Sequence, residues 1–145
     1  MCIRDRRSTA LAYTEIERAI KDMPCNILVF ADTCHAGAAS GFGGVRDPWT
    51  DLTSIEVGAI LFASSTPSEE SQENDLWGHG AFTLALLEAM KNKKTDVTSD
   101  GLISVTELEL SVSEKVKKLT NDQQHPTTVK PGTIGDFNIG AAGSQ

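Results

Sequence analysis

Ile27-Leu28-Val29-Phe30-Ala31-Asp32-Thr33-Cys34-His35-Ala36-Gly37 is the stretch from which the rest of the chain can be read. Five apolar residues, a strand's length and suited to a sheet buried on both faces, run directly into a carboxylate, a thiol and an imidazole. In open α/β sheets, ligands and chemistry collect beyond the carboxyl ends of the strands. The small residues Ala36, Gly37, Ala38, Ala39, Ser40 and Gly41 allow a sharp turn and the close approach of a substrate backbone. On this reading Cys34 is a nucleophile at the end of a central strand. The competing reading is a small buried hydrophobe, the commonest role of a free cysteine.

Working outward, residues 14–23 have a helical stripe of Ile16, Ala19, Ile20 and Met23, opened by a Thr14/Glu17 capping box and closed by Pro24. Residues 40–58 form a polar, Gly-rich loop in which Arg46 reads as a solvated loop charge. Ala59-Ile60-Leu61-Phe62-Ala63 is a second buried-strand run. The acidic segment Ser64–Asp75 leaves its carboxyl end, beside Cys34 if the two strands are parallel neighbours. Phe82, Ala85, Leu86, Ala89 and Met90 mark a helix over 81–92. Leu108, Val112, Val116 and Leu119 mark another over 104–120, capped by Ser104 and Glu107. Residues 125–135 read as a loop, 136–139 as a short last strand, and 140–145 as a frayed tail. Helices alternating with buried strands indicate an α/β fold.

Asp32-Thr33-Cys34-His35-Ala36-Gly37 resembles the D-x-C-x-x-G nucleophile motif of caspase-like cysteine peptidases, metacaspases above all. Gly80-Ala81-Phe82-Thr83 and Asp100-Gly101-Leu102-Ile103-Ser104 are similar to two further landmarks of that family. The resemblance covers residues 9–140. It implies a three-layer α/β/α sandwich around a mostly parallel sheet, a protein or peptide substrate, and chemistry that needs no cofactor. It makes Cys34 the nucleophile and Asp32 part of the pocket for an Arg or Lys side chain before the scissile bond. The competing role for Asp32 is a cap on the turn. Ser64, Ser65 and Glu70, leaving the neighbouring strand, are candidates to line the same pocket, and the glycine at Gly37 suits an oxyanion hole.

One departure stands out. Caspases carry their histidine about 50 residues before the cysteine, which here falls before residue 1. His35 points away from Cys34 in an extended turn, His79 follows the cysteine, and His125 precedes Pro126 in a loop. The expectation is therefore a partial domain over 8–140 that has lost its N-terminal strands and is inactive by itself. Residues 1–7 are expected to be a non-native leader and 141–145 a tail.

The 145-residue length suits one domain. The formal net charge of −7 argues against nucleic acid and anionic membrane as partners. Three cysteines (Cys2, Cys25, Cys34) without paired spacing favour a reducing, cytoplasmic setting, with Cys25 a packing residue. No apolar run approaches the roughly 18 residues of a membrane span.

Asp96-Val97-Thr98-Ser99-Asp100-Gly101 through Glu107 matches a 12-residue EF-hand loop at most positions. That makes calcium a candidate ligand of Asp96, Thr98, Asp100 and Glu107. The competing reading is a turn made by Asp100-Gly101, with Ser104 capping the next helix. The alternative to the peptidase is a non-catalytic caspase-like module that binds partners or calcium.

Overall fold

The computed structural model describes residues 13–32, 53, 58–66, 68–75 and 77–143. Helix α1 spans Tyr13–Ile20 and strand β1 Ile27–Ala31, followed by β2 at Ala59–Ala63. Helix α2 spans Ala81–Lys91, and a 3-10 turn follows at Lys93–Thr95. Strand β3 (Leu102–Ser104) leads into α3 (Val105–Leu119), and β4 (Thr127–Val129) and β5 (Asn138–Ala141) complete the order.

β1 and β2 pair in parallel, Ile27 opposite Ala59 and Ala31 opposite Ala63. β4 lies antiparallel on the other side of β2, with Leu61 opposite Val129. The described sheet thus has one parallel and one antiparallel pairing, which corrects the mostly parallel expectation over these residues. Paired on both edges, β2 is buried from end to end, as its unbroken apolar run requires. Residues alternate between its faces. Leu28, Ile60 and Phe62 pack toward α2 and α3, with Phe82, Ala85, Ala89, Leu108, Val112 and Val116. Ala59 on the opposite face packs with Ile16 and Ile20 of α1.

α1 ends earlier than its stripe suggested. Ala19 and Met23 are exposed, because only Ile16 and Ile20 reach the sheet. The helix already runs at Tyr13, so Thr14 lies within it rather than capping it. Cys25 is exposed rather than packed. In α2 the small side chains of Ala85 and Ala89 let α3 approach closely, whereas Met90 is exposed. The α3 prediction holds in detail. Ser104 Oγ accepts from the Glu107 N–H while the Glu107 carboxylate accepts from the Ser104 N–H.

Two short strands were read otherwise. β4 lies inside the expected 125–135 loop, where Pro126 and Pro131 flank only three strand residues. β5 starts at Asn138 and pairs antiparallel with β3, a strand within the loop matched to the EF-hand. Gly140 and Ala141 are therefore paired, and the Ala142 N–H donates to Gly101 O at 2.9 Å. The expected fraying does not apply to residues 140–142.

Candidate active site

The carboxyl ends of β1 and β2 meet the N-terminus of α2 at one edge of the sheet. The Ser64 N–H donates to Ala31 O at 2.9 Å, carrying the parallel ladder one step beyond the strands. Asp32 is the next residue of the first strand's chain. Its Oδ2 accepts a hydrogen bond from Thr83 Oγ1, in the first turn of α2, at 2.5 Å. That turn contains no acid of its own. Asp32 supplies the negative charge that the helix N-terminus favours.

Gly80, the N-cap of α2, lies against the same carboxylate. A Cβ there would sit 2.9 Å from Asp32 Oδ2, so a side chain and the carboxylate compete for one space. Beyond Gly80 opens a cavity of about 720 Å³, lined by Glu73, Asn74, Asp75, Gly78, His79 and Gly80. The walls are polar and acidic, and Asp32 borders them through Gly80.

The family model for the caspase domain of the C14 peptidases matches residues 2–137. The chain belongs to the caspase-domain family. No curated protein and no solved structure matches it. By family the protein is a peptidase, acting on protein substrates. Among the described residues, no helix is long and apolar enough to cross a membrane.

Of the residues singled out in this caspase domain, Cys34, His35, Gly37 and Arg46 lie outside the described residues. Asp32 is exposed at the sheet edge. Glu70 is exposed on the loop that follows β2. Ser64 and Ser65 have a different place from the one expected of pocket-lining residues. Both are fully buried, with Ser64 Oγ against Ser71 Oγ at 2.5 Å and Ser65 Oγ donating to Glu69 O at 3.2 Å. They shape the loop from within, because their hydroxyls are turned to partners inside the chain.

His79 is exposed on the cavity wall and does not cap α2, a position held by Gly80. His125, for which the sequence suggested no role, is engaged on both ring nitrogens. Nδ1 lies 2.7 Å from Glu69 Oε1 and Nε2 3.2 Å from Asp122 Oδ1. Its backbone N–H donates to Glu69 Oε2 at 2.8 Å. Burial raises the Glu69 carboxyl, but the bonds from His125 and Thr66 outweigh it and hold Glu69 below its ordinary 4.5. Sequence reasoning missed this pair, because its members lie 56 residues apart with no local motif.

The Asp96–Glu107 cluster forms a hydrogen-bonded turn. Asp96 accepts from the N–H groups of Asp100 (3.1 Å) and Gly101 (2.8 Å), and Asp100 accepts from Leu102 N–H at 2.8 Å. Glu107 Oε1 accepts from the N–H (2.9 Å) and hydroxyl (3.0 Å) of Thr98, and Oε2 from Ser104 N–H. Backbone donors at Ser104 and Thr98 lower its pKa to about 2. Among the described residues, no three Asp, Glu, His or Cys side chains converge to hold a metal ion.

Proposed function

We propose that this caspase domain is a cysteine endopeptidase that cuts after Arg or Lys, with Cys34 as nucleophile and Asp32 as the residue that selects the basic side chain. The observation that carries the reading is the placement of Asp32. Its carboxylate accepts a hydrogen bond from Thr83, in space left by Gly80, at the carboxyl edge of parallel strands and two residues before the cysteine. A guanidinium can pair with such a carboxylate through two parallel hydrogen bonds. Glu70, exposed on the loop that follows β2, is the second acid assigned to that pocket. The whole is taken as the family's α/β/α sandwich.

In the reaction the Cys34 thiolate attacks the scissile carbonyl carbon. The oxyanion takes hydrogen bonds from backbone N–H groups, a role for which the sequence offers Gly37. The C–N bond breaks, the leaving amine takes a proton, and water then hydrolyses the thioester, regenerating the thiol. No cofactor enters these steps. A free thiol is only a few per cent thiolate at neutral pH, so a base must accompany it. We assign that role to none of the three histidines of this sequence. His125 is bonded to two carboxylates, His79 lies on the cavity wall, and His35 adjoins the cysteine in sequence. In caspases the histidine that serves as this base stands about 50 residues before the cysteine in sequence.

The test is covalent labelling with an arginine-ended peptide acyloxymethyl ketone, followed by mass-spectrometric mapping of the modified residue. Attachment to Cys34, absent in Cys34→Ala, is the expected result. Labelling that ignores the peptide and falls equally on exposed Cys25 supports a non-catalytic module instead.

A further inference from the structure

Gln124 is fully buried, and it lies 60 residues from Ser64 in sequence. Both ends of its amide are used on one loop. Nε2 donates to Ser64 O at 2.7 Å, and Oε1 accepts from Gln72 N–H at 2.8 Å. One side chain thus clasps the two ends of the 64–72 loop. Its backbone is anchored in turn, because its N–H donates to Thr120 Oγ1 (3.2 Å), which itself donates to Val116 O (2.9 Å) at the end of α3.

The neighbours of Gln124 hold the same loop. Gln123 Oε1 accepts from Gln72 Nε2 at 3.0 Å, and His125 holds Glu69. Both clasped residues lead to Asp32. Ser64 N–H is bonded to Ala31, the residue before Asp32. Gln72 O accepts the Ala81 N–H at 2.9 Å, at the start of the helix whose Thr83 holds the Asp32 carboxylate.

We propose that Gln124 is a positioning residue for substrate selection: it fixes the 64–72 loop, and through Ser64 and Gln72 the setting of Asp32, without touching substrate. The proposal rests on the Asp32 pocket proposed above. An amide is suited to the task because it offers a donor and an acceptor at once. An apolar replacement removes both of these hydrogen bonds.

The readout is a ratio of rates at Cys34, arginine-ended acyloxymethyl ketone over iodoacetamide. The small reagent corrects for thiolate content and access. Gln124→Met is expected to lower the ratio about tenfold at every pH. Gln124→Glu is expected to lower it at pH 8 and restore it toward the parent at pH 6. A buried carboxyl titrates high, and when protonated it donates to Ser64 O and accepts from Gln72 N–H as the amide does. Glu69, Asp122, His125 and Asp32 are further ionisable side chains of this region, so the parent chain is measured in parallel at each pH. A purely structural role predicts no return of selectivity with falling pH.

Hydrogen exchange of residues 64–81 is measured on the same proteins and is expected to speed up in Gln124→Met. An unchanged ratio with unchanged exchange overturns the proposal. A parent chain that shows no preference for the arginine reagent overturns the Asp32 pocket instead. Exchange then still decides whether Gln124 holds the loop, and unchanged exchange removes that role too.

Discussion

Thr83 donates its hydroxyl proton to Asp32 across 51 residues of chain, joining the first turn of α2 to the end of β1 at 2.5 Å. The bond gives the Asp32 carboxylate a fixed direction although the residue is exposed. Thr83→Val keeps the side-chain shape and removes the donor. It is expected to reduce the preference for arginine-ended over aspartate-ended probes by roughly threefold to tenfold, with Thr83→Ser retaining it. Paired labelling rates on the two variants check this.

Gly80 gives a second handle on the same carboxylate. Its backbone, at φ −62° and ψ 152°, suits any residue, so alanine there brings no backbone strain. The added Cβ instead meets Asp32 Oδ2 at 2.9 Å, so the carboxylate must give up its place beside Thr83. Gly80→Ala is expected to lose arginine preference while changing stability by less than about 1 kcal/mol. Labelling rates alongside thermal melts distinguish this from general unfolding.

Phe82, two residues into α2, belongs to the core rather than the site. It packs with Ile60, Phe62 and Leu108, almost wholly buried. Phe82→Ala is expected to cost about 3–5 kcal/mol, measured by denaturant unfolding. The Gly80–Thr83 landmark thus combines two jobs, a core anchor between two residues that hold Asp32.

Glu107 sets an acid limit. Its carboxyl, lowered from an ordinary 4.5 to about 2 by N–H donors at Ser104 and Thr98, is ionised in the folded chain where the unfolded chain has begun to protonate. Its contribution is therefore complete above pH 4.5 and is lost as pH falls toward about 2. Melting curves from pH 6 to pH 2 are expected to show a shallower acid decline in Glu107→Gln than in the parent. Equal slopes would assign the acid sensitivity elsewhere.

The parts of the fold legible in the sequence were those with a long, regular pattern. β1 and β2 are unbroken apolar runs, and α3 announces itself by a capping box and a four-residue stripe. β4 was hidden because three residues between prolines carry no period. β5 was placed two residues early because its pairing with β3 sets its limits. The place of Asp32 at the strand end was legible from its adjacency to the apolar run, while its pocket role came only from the family resemblance. Its partner Thr83, the Glu69–His125 pair and the Gln124 clasp were not. Each joins positions 51 to 60 residues apart, and only the folded chain brings them together.

The most direct test of the central claim compares labelling rates at Cys34 for two matched peptide acyloxymethyl ketones, one ending in arginine and one in aspartate. The account predicts faster labelling by the arginine reagent, with the preference lost in Asp32→Asn. Preference for the aspartate reagent, or an arginine preference that survives Asp32→Asn, would contradict it.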